Sequence, residues 1–132
     1  MTARLLQPPG WATPKGYANG IAAGGRLVFV GGQIGWNAQQ KFESEDIVPQ
    51  FDQALANIVA VLAEGGARPE HVVRMTWYIV DKREYLAAAR EVGQAFREII
   101  GAYNAAMTAV EVTALMEDRA KVEIEATAVL PD

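Results

Sequence analysis

The chain has 132 residues, 51% of them hydrophobic, a length that fits one domain around one core and is too short for two ordinary ones. Its 16 acidic and 12 basic residues leave a formal charge of −4, which gives no electrostatic reason to seek nucleic acid or an anionic membrane surface as a partner. Cysteine is absent, which excludes disulfides, thiolate nucleophiles and iron–sulfur ligation, and the one histidine, His71, cannot build a multi-imidazole zinc site, so no metal is expected.

Residues 1–9 carry neither the apolar run nor the cleavage site of a signal peptide, and nowhere do eighteen apolar residues follow one another; a cytoplasmic protein is expected. Up to Lys15 the chain is rich in proline and glycine and reads as an extended arm without regular structure. Residues 17–23 and 26–30 favour strands, and Gly24-Gly25 between them is a two-residue hairpin signal. The pair Gly31-Gly32 ends the second strand and leads into Gln33-Ile34-Gly35-Trp36-Asn37, a loop whose backbone can approach a ligand closely.

Phe51, Leu55, Ile58, Val59 and Leu62 recur on one face of a helix over residues 49–64, with Pro49 suited to its first turn and Gly65-Gly66 to its stop. Residues 72–80 are dense in β-branched and aromatic side chains and form a central strand, with Trp77 in the core or an interface. A second helix spans residues 83–100. Asp81 and Glu84 have the spacing of a capping box at its start, and Gly101 follows its end. Strands 107–115 and 120–130 flank a polar turn at Glu117-Asp118 and are expected to pair as a hairpin.

The order is therefore ββαβαββ, an α/β fold with a mixed sheet carrying two helices on one face, its two βαβ crossovers joining parallel neighbours. Alternation puts Val122, Ile124, Ala126 and Ala128 toward the helices and Lys121, Glu123, Glu125 and Thr127 on the other side. Val110 and Val112 share a face in the preceding strand, opposite Met107, Glu111 and Thr113, so Glu111, Glu123 and Glu125 are expected to gather on the helix-free side. They either line a solvated surface, pairing with Arg74 and Lys121, or serve catalysis. The bare sheet face predicts a homo-oligomer. Asn37 and Asn57 are read as satisfying backbone groups, and His71 as having no catalytic role.

Four stretches read together resemble the RidA (YjgF) family of enamine and imine deaminases, from Tyr17 to Val129. They are Leu27-Val28-Phe29-Val30-Gly31-Gly32-Gln33-Ile34, the helix with Gln50, Asn57, Val61-Leu62 and Gly65-Gly66, the strand Val72-Val73-Arg74-Met75-Thr76, and Val122-Glu123-Ile124-Glu125-Ala126. The resemblance implies a chorismate-mutase-like fold assembled as a homotrimer, with small-molecule ligands bound in clefts between subunits. It also implies cofactor-free hydrolysis of reactive 2-enamines and 2-imines to keto acids and ammonia. It assigns the pocket tyrosine to Tyr17, after Lys15-Gly16, the glycine-rich strand end to Gly31, Gly32 and Gln33, and the water-activating glutamate to Glu123. Family members commonly have serine where Gly31 stands. Deaminases of the family carry proline-alanine-arginine-serine before the penultimate strand, and the arginine holds the substrate carboxylate. Here the stretch is Ala105-Ala106-Met107-Thr108, so Met107 and Thr108 line the substrate position and a thioether replaces the guanidinium. Two functions follow: a deaminase with altered or lost substrate range, or a non-catalytic trimer that binds a small metabolite in the same clefts.

Overall fold

Strict alternation along one strand sets the centre of the sheet. In Val122–Leu130 every second side chain from Val122 to Ala128 is buried, as the sequence pattern requires. A computed structural model describes residues 3–101 and 105–132 of the chain. Its elements are β1 (Arg4–Leu6), β2 (Gly20–Ala22), β3 (Arg26–Ile34), α1 (Ile47–Glu64), β4 (Val72–Ile79), α2 (Lys82–Ala87), α3 (Ala89–Ile99), β5 (Ala106–Glu111) and β6 (Val122–Leu130). The larger sheet has the order β3-β6-β4-β5, with β6 antiparallel to both neighbours and β5 parallel to β4.

Neither expected hairpin forms. Strand β5 follows β4 through the α2–α3 crossover and pairs with it in parallel at the sheet edge; the chain then passes β4 to lay β6 between β3 and β4. A strand apolar along its whole helix-facing side gains most from a slot with two neighbours, whereas β5, exposed from Thr108 to Glu111, suits an edge. The crossover from β3 through α1 likewise reaches a parallel strand, but β6 separates the two. At the other end, β2 pairs with β1 rather than β3, so the arm expected to be irregular contains a short strand; its first two residues lie outside the described ones. Gly25, at φ +142°, turns the chain tightly against the end of β6, where a Cβ would overlap the carbonyl oxygen of Leu130.

Helix α1 starts two residues before Pro49 and buries Ile47, Gln50, Phe51, Ala54, Leu55, Ile58 and Leu62. It ends in a Schellman motif: Gly66, at φ +76°, donates to Ala63, and Ala67 donates to Leu62. The second helix is two segments broken at Ala88. The Asp81 carboxylate accepts from the Glu84 N–H at 3.1 Å, so the cap forms, but Glu84 reaches Lys121 Nζ at 2.9 Å rather than closing the box. The break leaves Tyr85 against Phe51 and Trp77, while α3 continues the core with Val92, Ala95 and Phe96. Trp77 is core, its ring centroid 5.0 Å from Phe51 and 5.8 Å from Phe96.

Register decides which face Glu111 occupies. Met107, Ala109 and Glu111 pair with Met75, Trp77 and Ile79, all buried under the helices, whereas Thr108 and Val110 share the helix-free side with Thr76, Tyr78, Glu123 and Glu125. Glu111 is therefore not with the other two glutamates. It accepts from the Lys82 N–H at 2.7 Å and satisfies the first turn of α2. The expectation of three gathered glutamates took the valine side of β5 as its helix-facing side and β5 as the neighbour of β6; neither holds. The helix-free side also exposes Leu27, Val110 and Phe29, the last at 72%.

Candidate functional site

Strand β3 ends in an irregular register between Val30 and Gln33, where an extra residue re-aims the backbone. There the carboxylate of Glu123, from the neighbouring β6, lies over Gly32 so closely that a Cβ on Gly32 would overlap Oε2. Glycine is what allows a half-buried carboxylate to rest against this main chain. Gly31 has open space where a side chain would stand, and Gln33 Nε2 donates to the Gly31 carbonyl at 3.2 Å. Beside them a hollow of about 240 Å³ is lined by Phe29, Gly31, Arg74, Thr76 and Glu125. Tyr78 donates its hydroxyl to Glu125 Oε1 at 2.8 Å; that bond, desolvation, and the charges of Glu125 and Glu123 together hold the phenol above its ordinary pKa.

The expected ion pairs with these glutamates do not form among the described residues. Lys121 pairs with Glu84, and Arg74 makes no ion pair among the described residues; its Nη2 is 3.5 Å from Thr108 Oγ1, the outer limit of a hydrogen bond. Asn57 does what its position suggested, donating to the carbonyls of Ile34 at 3.1 Å and Trp36 at 2.8 Å, which pins the loop after β3 to α1. Asn37 accepts from the N–H groups of Gln39 and Lys41, and His71 Nδ1 accepts from the Arg68 N–H.

A second cluster lies at the β5 edge. Gly16, at φ +77°, turns the chain so that the Ala18 N–H reaches the Ala105 carbonyl at 3.0 Å, and this bond sets Tyr17 beside the start of β5. Tyr17, Met107 and Thr108 thus line one cavity of about 440 Å³, together with Trp77, Tyr85 and Val92. Burial raises the pKa of the Tyr85 phenol. The indole N–H of Trp77 has no acceptor among the described residues.

The candidate residues therefore form two groups. Tyr17, Met107 and Thr108 surround the cavity, and Gly31, Gly32, Gln33 and Glu123 form the strand-end group. One chain does not bring Tyr17 and Glu123 together, since Met107 and Ala109 face the helix layer and Glu123 the bare side of the sheet. The sequence reading missed Lys15, Gly93 and Arg97 as cavity residues; Gly93 and Arg97 flank the apolar stripe of α3 and Lys15 lies in the arm beside Tyr17, placements legible only once β5 is known to pass beside them. Among the described residues no cluster of three or more metal-ligating side chains occurs, and no helix is long and apolar enough to cross a membrane.

The family profile described as Endoribonuclease L-PSP matches residues 11–130, a span that contains every candidate residue. The chain belongs to the RidA/YjgF family. Among relatives, a RutC family protein of Synechocystis is 37% identical over 99% of both chains. A protein of Salmonella typhimurium named 2-iminobutanoate/2-iminopropanoate deaminase is 31% identical over 86% of each. A crystal structure of a conserved Rid-family protein of unknown function from Yersinia pestis superposes with a TM-score of 0.85 at 34% identity, covering 98% of this chain and all of the other. The mixed α/β fold is thus the RidA, chorismate-mutase-like one, and the kinship extends to enamine and imine deaminases.

Proposed function

We propose that this Rid protein hydrolyses a reactive enamine or imine at a site completed between neighbouring copies of a homotrimer. The reading is carried by the division of the candidate residues: each group is open and half a site by itself, so a strand end with Glu123 on one copy needs the Tyr17–Met107 cavity of another. In the reaction an enamine first tautomerises to its imine. Glu123 takes a proton from water as the water oxygen bonds to the imine carbon, and passes it to the nitrogen, giving the carbinolamine and restoring the carboxylate. Collapse of the carbinolamine forms the carbonyl and releases ammonia. The resting position of Glu123 against the Gly32 backbone supports its role in positioning water, and the name of the Salmonella relative supports the substrate class.

With Met107 in place of an arginine, short anionic imines such as 2-iminopropionate lose a charge-assisted pair. That costs roughly 2 to 4 kcal/mol, leaving about one thirtieth to one thousandth of the affinity. In a coupled assay that generates 2-iminopropionate, little acceleration is expected from the natural chain. Met107→Arg should raise the rate, and Glu123→Ala in that background should remove the gain. Robust hydrolysis by the unaltered chain that survives Glu123→Ala would overturn the reading. A stable monomer in sedimentation at micromolar concentration would overturn the shared site.

The replacement of the arginine also favours a second reading, a trimer that binds a metabolite in the same clefts without turning it over. Tight binding with no Glu123-dependent hydrolysis of any imine would select it.

A further inference from the structure

The cavity at the β5 edge has a charge pattern that its floor does not reveal. Trp77, Tyr85, Val92, Met107 and Ala109 give it an apolar body, while its two charged lining residues are both cations, Lys15 and Arg97. Among the described residues neither makes an ion pair and no carboxylate lines the cavity. Arg97 reaches the cavity by folding back along α3 over Gly93, where a Cβ would already touch Nη1 at 3.4 Å. A glycine inside a helix costs roughly 1 kcal/mol relative to alanine, so this bare stretch of α3 is held against propensity. The other candidate cation, Arg74, lies on the opposite face of the sheet, in a hollow it shares with the Glu125 carboxylate, and is less suited to an anion.

Trp77, 4% exposed, forms part of the cavity's apolar wall. Apolar walls and two cations without a nearby acid describe the complement of one kind of molecule.

We propose that this cavity binds a monocarboxylate with a bulky apolar body, aryl or branched alkyl, its carboxylate met by Arg97 and Lys15. The inference rests on reading the cavity as the organic half of the proposed site. It gives that site a substrate class, in which the cation has moved from the β5 position held by Met107 to helix α3 and the arm. Short acids lack the apolar body that fills the cavity and bind weakly.

The test uses unreactive probes on the full chain as it assembles in solution: 3-phenylpropionate, propionate and the neutral 3-phenylpropanamide, by calorimetry. Phenylpropionate should bind at least about 10-fold more tightly than propionate because the ring is buried. It should also bind about 10-fold or more tightly than the amide. Arg97→Gln should weaken the acid by about 10- to 100-fold while leaving the amide unchanged, and Arg97→Lys should recover part of the loss. The indole N–H resonance of Trp77, assigned by its disappearance in Trp77→Phe, should shift on binding. Equal affinity for phenylpropionate and propionate, or an Arg97→Gln chain that binds the acid as before, would sink the proposal. Binding of the acid by a chain with no Glu123-dependent hydrolysis removes the hydrolase and leaves this inference standing. Glu123-dependent hydrolysis without acid binding does the reverse.

Discussion

The two halves of the candidate site are built on different physical terms. At the end of β3, a half-buried carboxylate lies against a main chain with no side chain between them, and a single methyl on Gly32 is enough to displace Glu123. At the β5 edge, the cavity is bounded by side chains that can change rotamer, and its chemistry comes from which residues surround it rather than from one fixed distance. The first half has little tolerance of position and the second has little determination of shape. In one fold, the strand-end carboxylate and the cavity can therefore diverge separately, and a thioether at Met107 need not disturb Glu123.

The sharpest way to break that contrast is to alter one half and read the other. If Glu123 positions water as proposed, Glu123→Ala should lower the hydrolysis rate by about 10²- to 10⁴-fold, while phenylpropionate affinity at the cavity stays within about twofold of the parent in calorimetry. Gly32→Ala should produce a rate loss of the same kind with the carboxylate still present, because the added methyl moves it. An unchanged rate in Gly32→Ala would mean that the position of Glu123 is not critical. Phe51→Ala acts from the other side. Phe51 is fully buried with its ring 5.0 Å from Trp77, so truncation should cost about 3 to 5 kcal/mol in denaturant unfolding and loosen the cavity wall.

How far the sequence reached follows the same division. Period-2 alternation found the buried side of β6, and period-3.6 spacing found α1, because each pattern is local and reports burial directly. Partner choice was not legible. Gly24-Gly25 and Glu117-Asp118 have turn chemistry, but a turn signal states that the chain reverses, not which strand it meets, and both neighbouring pairings went elsewhere. The misplaced Glu111 came from reading the valine side of β5 as the helix-facing side; at the sheet edge Val110 instead lies on the bare face, 40% exposed. The resemblance singled out Gly32 and Glu123 separately, and their contact became visible only in the fold. It could not locate Arg97, which enters the cavity from a helix face that carries no motif. A smaller prediction checks the corrected face: Glu111→Ala removes the acceptor for the Lys82 N–H and should cost about 1 kcal/mol in denaturant unfolding, the usual loss for a helix-start partner. Loss of oligomerisation in this variant with stability unchanged would restore Glu111 to the helix-free side.

The smallest expected effect belongs to the helix layer, at a residue that lines neither half. Burial, and then the nearby charge of Glu98, hold the Asp52 carboxyl above its usual pKa. The folded state therefore binds more protons than the unfolded chain between the ordinary carboxylate value and the raised one, so stability falls as pH rises through that window. Above the window the penalty is complete; below the ordinary value both states are protonated and it vanishes. Asp52→Asn removes the charge and should raise stability at neutral pH by no more than about 0.5 kcal/mol, the usual ceiling at an exposed position. The gain should fade in denaturant titrations as the pH drops below about 4. Phenylpropionate affinity and any Glu123-dependent rate should not move, since the residue touches neither patch. A gain that persists at low pH would assign the effect to helix propensity instead of charge, and a change in rate or affinity would tie the α1–α3 contact to the site across the core that separates them.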